Sequence, residues 1–202
     1  MIVSSALHWI QLHYLELIAV ITGLLYVLFA IKENILLWLF GIISSGLYVW
    51  IFFHSGIFAY AILYVYYVLI GFFGWYNWLR KPEGTNDKVL AVKEASKTKR
   101  LTCILLTFIL SAPMYFILKR YTTSDMALTD ALLTSGGMIA TWMLTQKLIE
   151  QWLFWIVIDL ASMGAMVYKE LYPSALLFLV YTLLAVKGYL EWRKHLQKEQ
   201  TS

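Results

Sequence analysis

The run Gln-Trp-Leu-Phe-Trp-Ile-Val-Ile-Asp, residues 151–159, begins the sixth of seven long apolar segments in this 202-residue chain. At helical spacing Trp152, Trp155 and Asp159 are i, i+3 and i+7, so they share one face of a helix. A rise of about 1.5 Å per residue places Asp159 roughly 14 Å from Glu150, near the middle of a bilayer that the helix spans. A carboxylate at that depth is costly and typical of a functional site, and two neighbouring indoles would suit a flat organic cation.

The composition is that of a multi-pass membrane protein. Hydrophobic residues make up 61% of the chain and charged residues 14%, whereas soluble domains average about 45–50% and about 25%. The net charge of +4 does not indicate a nucleic-acid partner, because the basic residues lie between apolar segments. The single cysteine, Cys103, allows no internal disulfide. We expect no cleaved signal peptide, because no Lys or Arg precedes Lys32 and no small-residue cleavage pattern follows the first segment.

The apolar segments predict seven transmembrane helices and an all-α fold. Each is close to the roughly 17–25 residues that a span requires, and none shows the sustained alternation of a strand. Pro113 is expected to kink the fourth span, and Pro173 suits the first turn of the seventh. The predicted spans cover residues 14–31, 35–53, 58–79, 101–118, 128–146, 151–168 and 174–190.

The distribution of basic residues predicts the orientation. Most Lys and Arg residues lie in the loops after the first, third and fifth spans and in the C-terminal tail, with seven between Arg80 and Arg100. The opposite loops contain Lys119, Arg120 and Lys169. Since cytoplasmic loops are enriched in Lys and Arg, we expect the N-terminus outside and the C-terminus in the cytoplasm.

Spans one to three resemble spans five to seven. A shift of 117 residues aligns the second span with the sixth, and a shift of 114 aligns the third with the seventh. The first shift places Trp38 on Trp155 and Ile42 on Asp159, and the second places Gly74 on Gly188.

This repeat predicts two parallel three-helix bundles joined by the fourth helix, which restores the orientation of the second copy. We expect the first bundle over residues 1–80, a basic cytoplasmic loop and linker helix over 81–126, the second bundle over 127–192 and a cytoplasmic tail over 193–202. A substrate site would lie near the bilayer midplane between the bundles.

Nine residues are candidates for that site, although helix packing explains several of them as well. Tyr60, Tyr64 and Tyr67 form a stripe at helical spacing, which usually marks packing, but their hydroxyls need polar partners. Serine and asparagine in the second span would bind either a ligand or a neighbouring helix. The candidates are Asn34, Trp38, Ser44, Ser45, Tyr64, Tyr67, Trp152, Trp155 and Asp159.

Other polar and aromatic residues have structural interpretations. Trp75, Trp78 and Trp192 lie at span ends and are predicted to be interfacial belt residues, an interpretation that also applies to Trp152. Lys147 and Glu150, at i and i+3, are expected to form a local ion pair. No P-loop, GxSxG, HExxH or clustered Cys/His motif is present, so we expect neither an enzyme nor a cofactor or metal.

The run Lys147-Leu-Ile-Glu150-Gln-Trp152-Leu-Phe-Trp155 resembles the PnuC family of bacterial vitamin transporters. Residues 74–78, Gly-Trp-Tyr-Asn-Trp, match the family's GWYxW ending of the third span, and Asp130 stands where the family has an aspartate. The resemblance implies a three-one-three helical fold like that of SWEET sugar carriers, in the bacterial inner membrane. It also implies facilitated diffusion with trapping by a cytoplasmic kinase or pyrophosphokinase, and substrate contacts from Trp152 and Trp155.

The polar residues of the expected site influence the choice of substrate. Family members that carry nicotinamide riboside have an asparagine where this chain has Asp159, a glutamine where it has Tyr64 and an asparagine near Ser44. Thiamine, which is associated with the related PnuT group, carries a fixed positive charge and an aminopyrimidine. We therefore expect thiamine, with nicotinamide riboside as the alternative and neutral riboflavin less suited.

Two further hypotheses stay open at this point. A proton-coupled carrier would use Asp159 or Glu16 as its titrating group, since intramembrane carboxylates serve in proton relays. A non-transporting membrane scaffold would use the aromatic residues for packing alone. The sequence is compatible with a monomer and with an oligomer.

Overall fold

The computed structural model describes residues 2–80 and 90–201, with side chains described for 14–80 and 90–198. Seven helices account for most of these residues, as the sequence predicts. They are α1 (Ile2–Ile31), α2 (Leu36–His54), α3 (Phe58–Leu79), α4 (Lys97–Tyr121), α5 (Ala127–Thr145), α6 (Gln151–Tyr168) and α7 (Tyr172–Thr201).

Six of the described helices, all except α5, are long and apolar enough to cross a membrane. Helix α5 contains several Ser, Thr and Gly residues among its apolar residues. It is largely buried inside the protein, so it needs less apolar surface. Pro173 lies in the first turn of α7, as expected. Helix α7 continues to Thr201, beyond the predicted end of the span at residue 190, so the region predicted as a tail is helical.

Six helices pack side by side in a closed ring. In the described residues α1 contacts α2 and α7, α2 contacts α3, α3 contacts α5, α5 contacts α6, and α6 contacts α7. Helix α4 lies outside this ring, against α5 and the edge of α3. The ring leaves a space at its centre that all six helices can line.

The connections between helices repeat at an interval of 114 residues. Glu33 and Lys147 are both left-handed, with φ of 52° and 51°, and so are Gly56 and Glu170, with φ of 73° and 58°. The backbone hydrogen bonds repeat as well: Glu33 N donates to Ala30 O, as Lys147 N does to Leu144 O. One shift therefore relates both helix pairs, and the 117-residue alignment of the second and sixth spans is wrong.

The corrected register changes the equivalent residues. Trp38 corresponds to Trp152 rather than to Trp155, because the two indoles pack on the equivalent glycines Gly74 and Gly188. Trp155 is equivalent to Gly41. Asp159 is then equivalent to Ser45 instead of Ile42.

Trp78 and Trp192 connect the two halves of the chain. Trp78 Nε1 donates to Leu144 O of α5 at 3.1 Å, and Trp192 Nε1 donates to Ala30 O of α1 at 3.0 Å. The side chains are 2% and 0% exposed. The prediction that these two tryptophans are interfacial belt residues is therefore wrong. Their indoles bind carbonyls in the last turns of helices in the opposite half.

The charged side chains at this end also connect the halves. Lys147 Nζ lies 3.2 Å from Glu33 Oε2 and 4.5 Å from the ring centroid of Trp78. Glu33 also contacts His195 Nδ1. The expected local pair of Lys147 with Glu150 is therefore wrong: their side chains have separate partners.

Glu150 holds the segment that precedes α4. Its carboxylate oxygens accept hydrogen bonds from Ala95 N at 3.0 Å, and Oε1 lies 2.7 Å from Arg100 Nε. Lys93 N donates to Lys147 O, and Ile149 N donates to Lys93 O, both at 3.1 Å. The segment over residues 90–96 is thereby fixed to the α5–α6 connection.

We predict that Lys147→Glu lowers stability strongly, because it breaks a buried ion pair and places two carboxylates together. Breaking such a pair costs about 3–5 kcal/mol, which for a chain of this size lowers the melting midpoint by roughly 6–20 °C. The double variant Glu33→Lys/Lys147→Glu should recover most of the loss. Thermal unfolding in detergent, followed by tryptophan fluorescence, measures both effects.

Lys169→Glu serves as the control, because the Lys169–Asp125 pair at 2.6 Å is solvent-exposed. Exposed pairs contribute little to stability, so the midpoint should hardly move. A double charge swap that is no more stable than Lys147→Glu would contradict the interpretation of Glu33 and Lys147 as a pair.

Candidate functional site

A cavity of about 430 Å³ occupies the centre of the helix ring. Each of the six ring helices contributes to its wall, whereas the described residues of α4 contribute none. At one end, Trp38 and Trp152 line the cavity beside Trp78 and Trp192. This is the end where the Lys147–Glu33 pair joins the halves, so the cavity is closed there by packed indoles.

One face of α6 supplies the most varied chemistry. Gln151, Trp155 and Asp159 are spaced at i, i+4 and i+8, and all three line the cavity. Their equivalents on α2, by the 114-residue shift, are Leu37, Gly41 and Ser45. The α6 face thus presents an amide, an indole and a carboxylate, whereas the α2 face presents an isobutyl group, no side chain and a hydroxyl.

Asp159 is 6% exposed. Within the described part of the chain, no donor forms a hydrogen bond with its carboxylate and no cationic side chain forms an ion pair with it. An unpaired buried carboxylate is costly, and the cavity is where a compensating partner can enter. The site therefore suits a ligand that brings a positive charge or hydrogen-bond donors.

Tyrosines form the wall contributed by α2 and α3. The ring centroids of Tyr48 and Tyr64 are 4.8 Å apart, and those of Tyr64 and Tyr67 are 5.8 Å apart. Tyr26 of α1 lies over Gly41, where an added Cβ would come within 2.8 Å of its ring. Gly41 therefore makes the room that Tyr26 occupies, and the resulting wall is aromatic with hydroxyl groups.

Eight of the nine predicted site residues line this cavity. Ser44 does so while its Oγ donates to Ala19 O at 2.9 Å, so part of its role is to join α1 and α2. Asn34 is the exception: it is exposed, and its Oδ1 accepts a hydrogen bond from Leu36 N at 2.9 Å. The eight are Trp38, Ser44, Ser45, Tyr64, Tyr67, Trp152, Trp155 and Asp159.

Several lining residues were absent from the sequence prediction. Tyr26 lies in an apolar segment that carries no motif, and Gln151 was treated only as part of the quoted run. The corrected register would have drawn attention to Gln151, because a buried glutamine stands where the first copy has leucine. The lining residues that were missed include Tyr26, Tyr48, Thr141, Gln151, Phe178 and Tyr181.

Five of the six helices in the ring are long and apolar enough to cross a membrane, and the aromatic cavity with its unpaired carboxylate is suited to binding a small molecule. Residues 13–194 match the family model described as nicotinamide mononucleotide transporter. The chain therefore belongs to this family, the PnuC family, and it is a transporter and not an enzyme. The prediction of family is confirmed.

The relatives are distant but cover most of the chain. The nicotinamide riboside transporter PnuC of Escherichia coli is 24% identical over 206 residues, which cover 90% of this chain and 86% of the relative. The PnuC of Neisseria mucosa is 26% identical, with coverage of 90% and 72%. The crystal structure of the vitamin B3 transporter PnuC matches with a TM-score of 0.72 and 22% identity, covering 96% of this chain and 87% of that one.

We predict that Gly188→Ala destabilises the protein. Its Cβ would lie 2.5–2.6 Å from three ring atoms of Trp152, so the indole or α7 must move, which typically costs about 1–3 kcal/mol. The control Gly164→Ala, in α6, meets nothing within 4 Å. Because alanine is the better helix former, that variant should be neutral or slightly stabilised. Melting midpoints of the two variants give the comparison, and equal midpoints would contradict the packing described for Trp152.

Proposed function

We propose that this chain carries nicotinamide riboside across the bacterial inner membrane. The observation that carries the proposal is the unpaired Asp159 carboxylate beside Trp155 in the central cavity of a PnuC-family transporter. Nicotinamide riboside is a flat cation with a sugar, so it complements a carboxylate and an aromatic wall. The relatives that match over 90% of the chain are named as nicotinamide riboside transporters.

Each side chain of the site has a role in this proposal. Trp155 stacks on the pyridinium ring, because indole faces attract organic cations. Asp159 balances the positive charge and accepts hydrogen bonds from sugar hydroxyls. Tyr64 and Tyr67 supply hydroxyls on the opposite wall, and Ser45 lies at the position equivalent to Asp159. Trp38 and Trp152 close the end of the cavity.

Thiamine is the second candidate substrate, and one observation favours it. A carboxylate at Asp159 and the extra aromatic ring of Tyr64 suit a thiazolium cation with an aminopyrimidine. The sequence alone favours thiamine for these reasons. The named relatives support nicotinamide riboside more directly, so nicotinamide riboside is the first candidate.

The transport mechanism that we propose uses the internal repeat. Helices α1–α3 and α5–α7 form two parallel bundles with α4 as the linker, in a three-one-three arrangement like that of SWEET carriers. The bundles rock about the central site to expose it to each side in turn. The N-terminus is outside and the basic loop over residues 80–100 is cytoplasmic. Facilitated diffusion is followed by phosphorylation of the vitamin by a cytoplasmic kinase, which keeps it inside.

The substrate is identified by titrating purified wild-type protein with nicotinamide riboside, thiamine and riboflavin. Tryptophan fluorescence is a suitable signal, because indoles line the cavity. Saturable binding of nicotinamide riboside at lower concentration than thiamine supports the proposal. Tighter binding of thiamine would contradict it and make thiamine the proposed substrate. Uptake into vesicles that is insensitive to pH and to uncouplers separates facilitated diffusion from proton coupling.

We predict that Trp155→Ala and Asp159→Ala weaken binding of nicotinamide riboside while the protein remains folded. Loss of a stacked aromatic face costs about 0.5–2 kcal/mol, hence up to about thirtyfold in affinity. Loss of the charge on the carboxylate should cost roughly tenfold to a hundredfold. Isothermal titration calorimetry in detergent measures both changes.

Matched controls are Trp50→Ala and Asp125→Ala. Trp50 is 57% exposed, and neither residue lines the cavity. These controls should bind like the wild type. If Asp159→Ala binds nicotinamide riboside as tightly as the wild type does, the carboxylate has no part in recognition and the proposed site is refuted.

A further inference from the structure

Gln151 has a buried amide that the protein leaves unpaired. The side chain is 1% exposed, and in the described part of the chain no group accepts a hydrogen bond from its Nε2. A buried amide without a partner costs about 1–3 kcal/mol in proteins. Gln151 is also one of the residues that line the central cavity.

The internal repeat shows that packing does not require an amide here. The equivalent residue of the first half is Leu37, which is 0% exposed. The helix starts are built in the same way in both halves: Gln151 N donates to Leu148 O at 3.2 Å, as Leu37 N donates to Asn34 O at 3.0 Å. Leucine satisfies this environment in one copy. Glutamine in the other copy therefore needs a reason beyond the fold.

The position of Gln151 relative to the rest of the site supplies that reason. Gln151, Trp155 and Asp159 follow one another by one helical turn each, about 6 Å of rise per step and about 12 Å in total. A flat cation stacked on Trp155 with its charge turned towards Asp159 has its other edge turned towards Gln151. In nicotinamide riboside the ring nitrogen and the carboxamide lie at different edges of the pyridinium ring.

We propose that Gln151 is a substrate-binding residue that recognises a carboxamide, or a comparable planar donor–acceptor edge, on the uncharged side of a flat organic cation. A glutamine amide offers both a donor and an acceptor, so it pairs reciprocally with a carboxamide. This inference rests on the proposed function, and it adds the direction in which the substrate lies: sugar at Asp159, carboxamide at Gln151.

A pair of ligands and a near-isosteric variant test the assignment. The ligands are nicotinamide riboside and 1-ribosylpyridinium, which has the same charge and sugar but no carboxamide. Gln151→Met keeps the volume and removes the amide, and Gln151→Leu reproduces the residue of the first half. Affinities are measured on the full chain in detergent by calorimetry.

Wild-type protein should bind nicotinamide riboside about tenfold more tightly than 1-ribosylpyridinium, as expected for one buried hydrogen-bonded group. Both Gln151 variants should abolish this difference by weakening the first ligand and leaving the second unchanged. Asp159→Ala should weaken both ligands alike. The melting midpoint of ligand-free Gln151→Met should equal or exceed that of the wild type, since an unpaired buried amide has been removed.

The contrary outcomes are distinct. Wild-type protein that binds neither riboside overturns the proposed function and this inference with it. Binding by the wild type together with an unchanged preference in both variants overturns the inference alone. Equal weakening of both ligands in the variants, or a lowered midpoint with unchanged affinity, assigns Gln151 to the framework of the helix and also overturns the inference.

Discussion

Two reciprocal hydrogen bonds hold the molecule in one arrangement. Trp78 of the first half donates to the end of α5, and Trp192 of the second half donates to the end of α1. Each indole donates to a carbonyl oxygen that also accepts a backbone hydrogen bond from the turn after its helix. They connect the two halves in both directions at this end of the ring. The buried Lys147–Glu33 pair lies beside the same indoles and adds an ionic link that only the correct register of the two halves allows.

Much of the fold could be predicted from hydropathy and length, because a bilayer demands long apolar helices. The register of the repeat could not be predicted for α2 and α6. Tryptophans at residues 152 and 155 are both plausible partners for Trp38, and apolar segments align well at several shifts. The connections between the helices decide between these shifts, since Glu33 and Lys147 share a left-handed backbone conformation. Neither residue is glycine, so the sequence does not reveal that conformation.

The sequence identifies candidate residues where a side chain is costly to place inside a membrane. Asp159 and Trp155 stand out because a carboxylate and a large indole at mid-membrane depth need a reason. Gln151 does not stand out, because a polar residue at the start of a span is ordinarily near the bilayer surface. Gln151 is buried because the packed indoles and the connection between α5 and α6 cover it in the folded protein. Asn34 illustrates the reverse case: it was a candidate for the site as a polar residue at the second span, but its Oδ1 accepts a hydrogen bond from Leu36 N of α2.

The duplicated architecture separates two tasks that a single helix would have to combine. Trp152, like Trp38, packs on a glycine of the neighbouring helix, and this shared feature maintains the bundle in both halves. Gln151, Trp155 and Asp159 differ between the halves, because the equivalent residues of the first half are Leu37, Gly41 and Ser45. Under the proposed function, substitutions at these three positions alter which molecule is carried while the pairing of the halves is preserved. A family with this arrangement can evolve new specificities through a few changes on one helix.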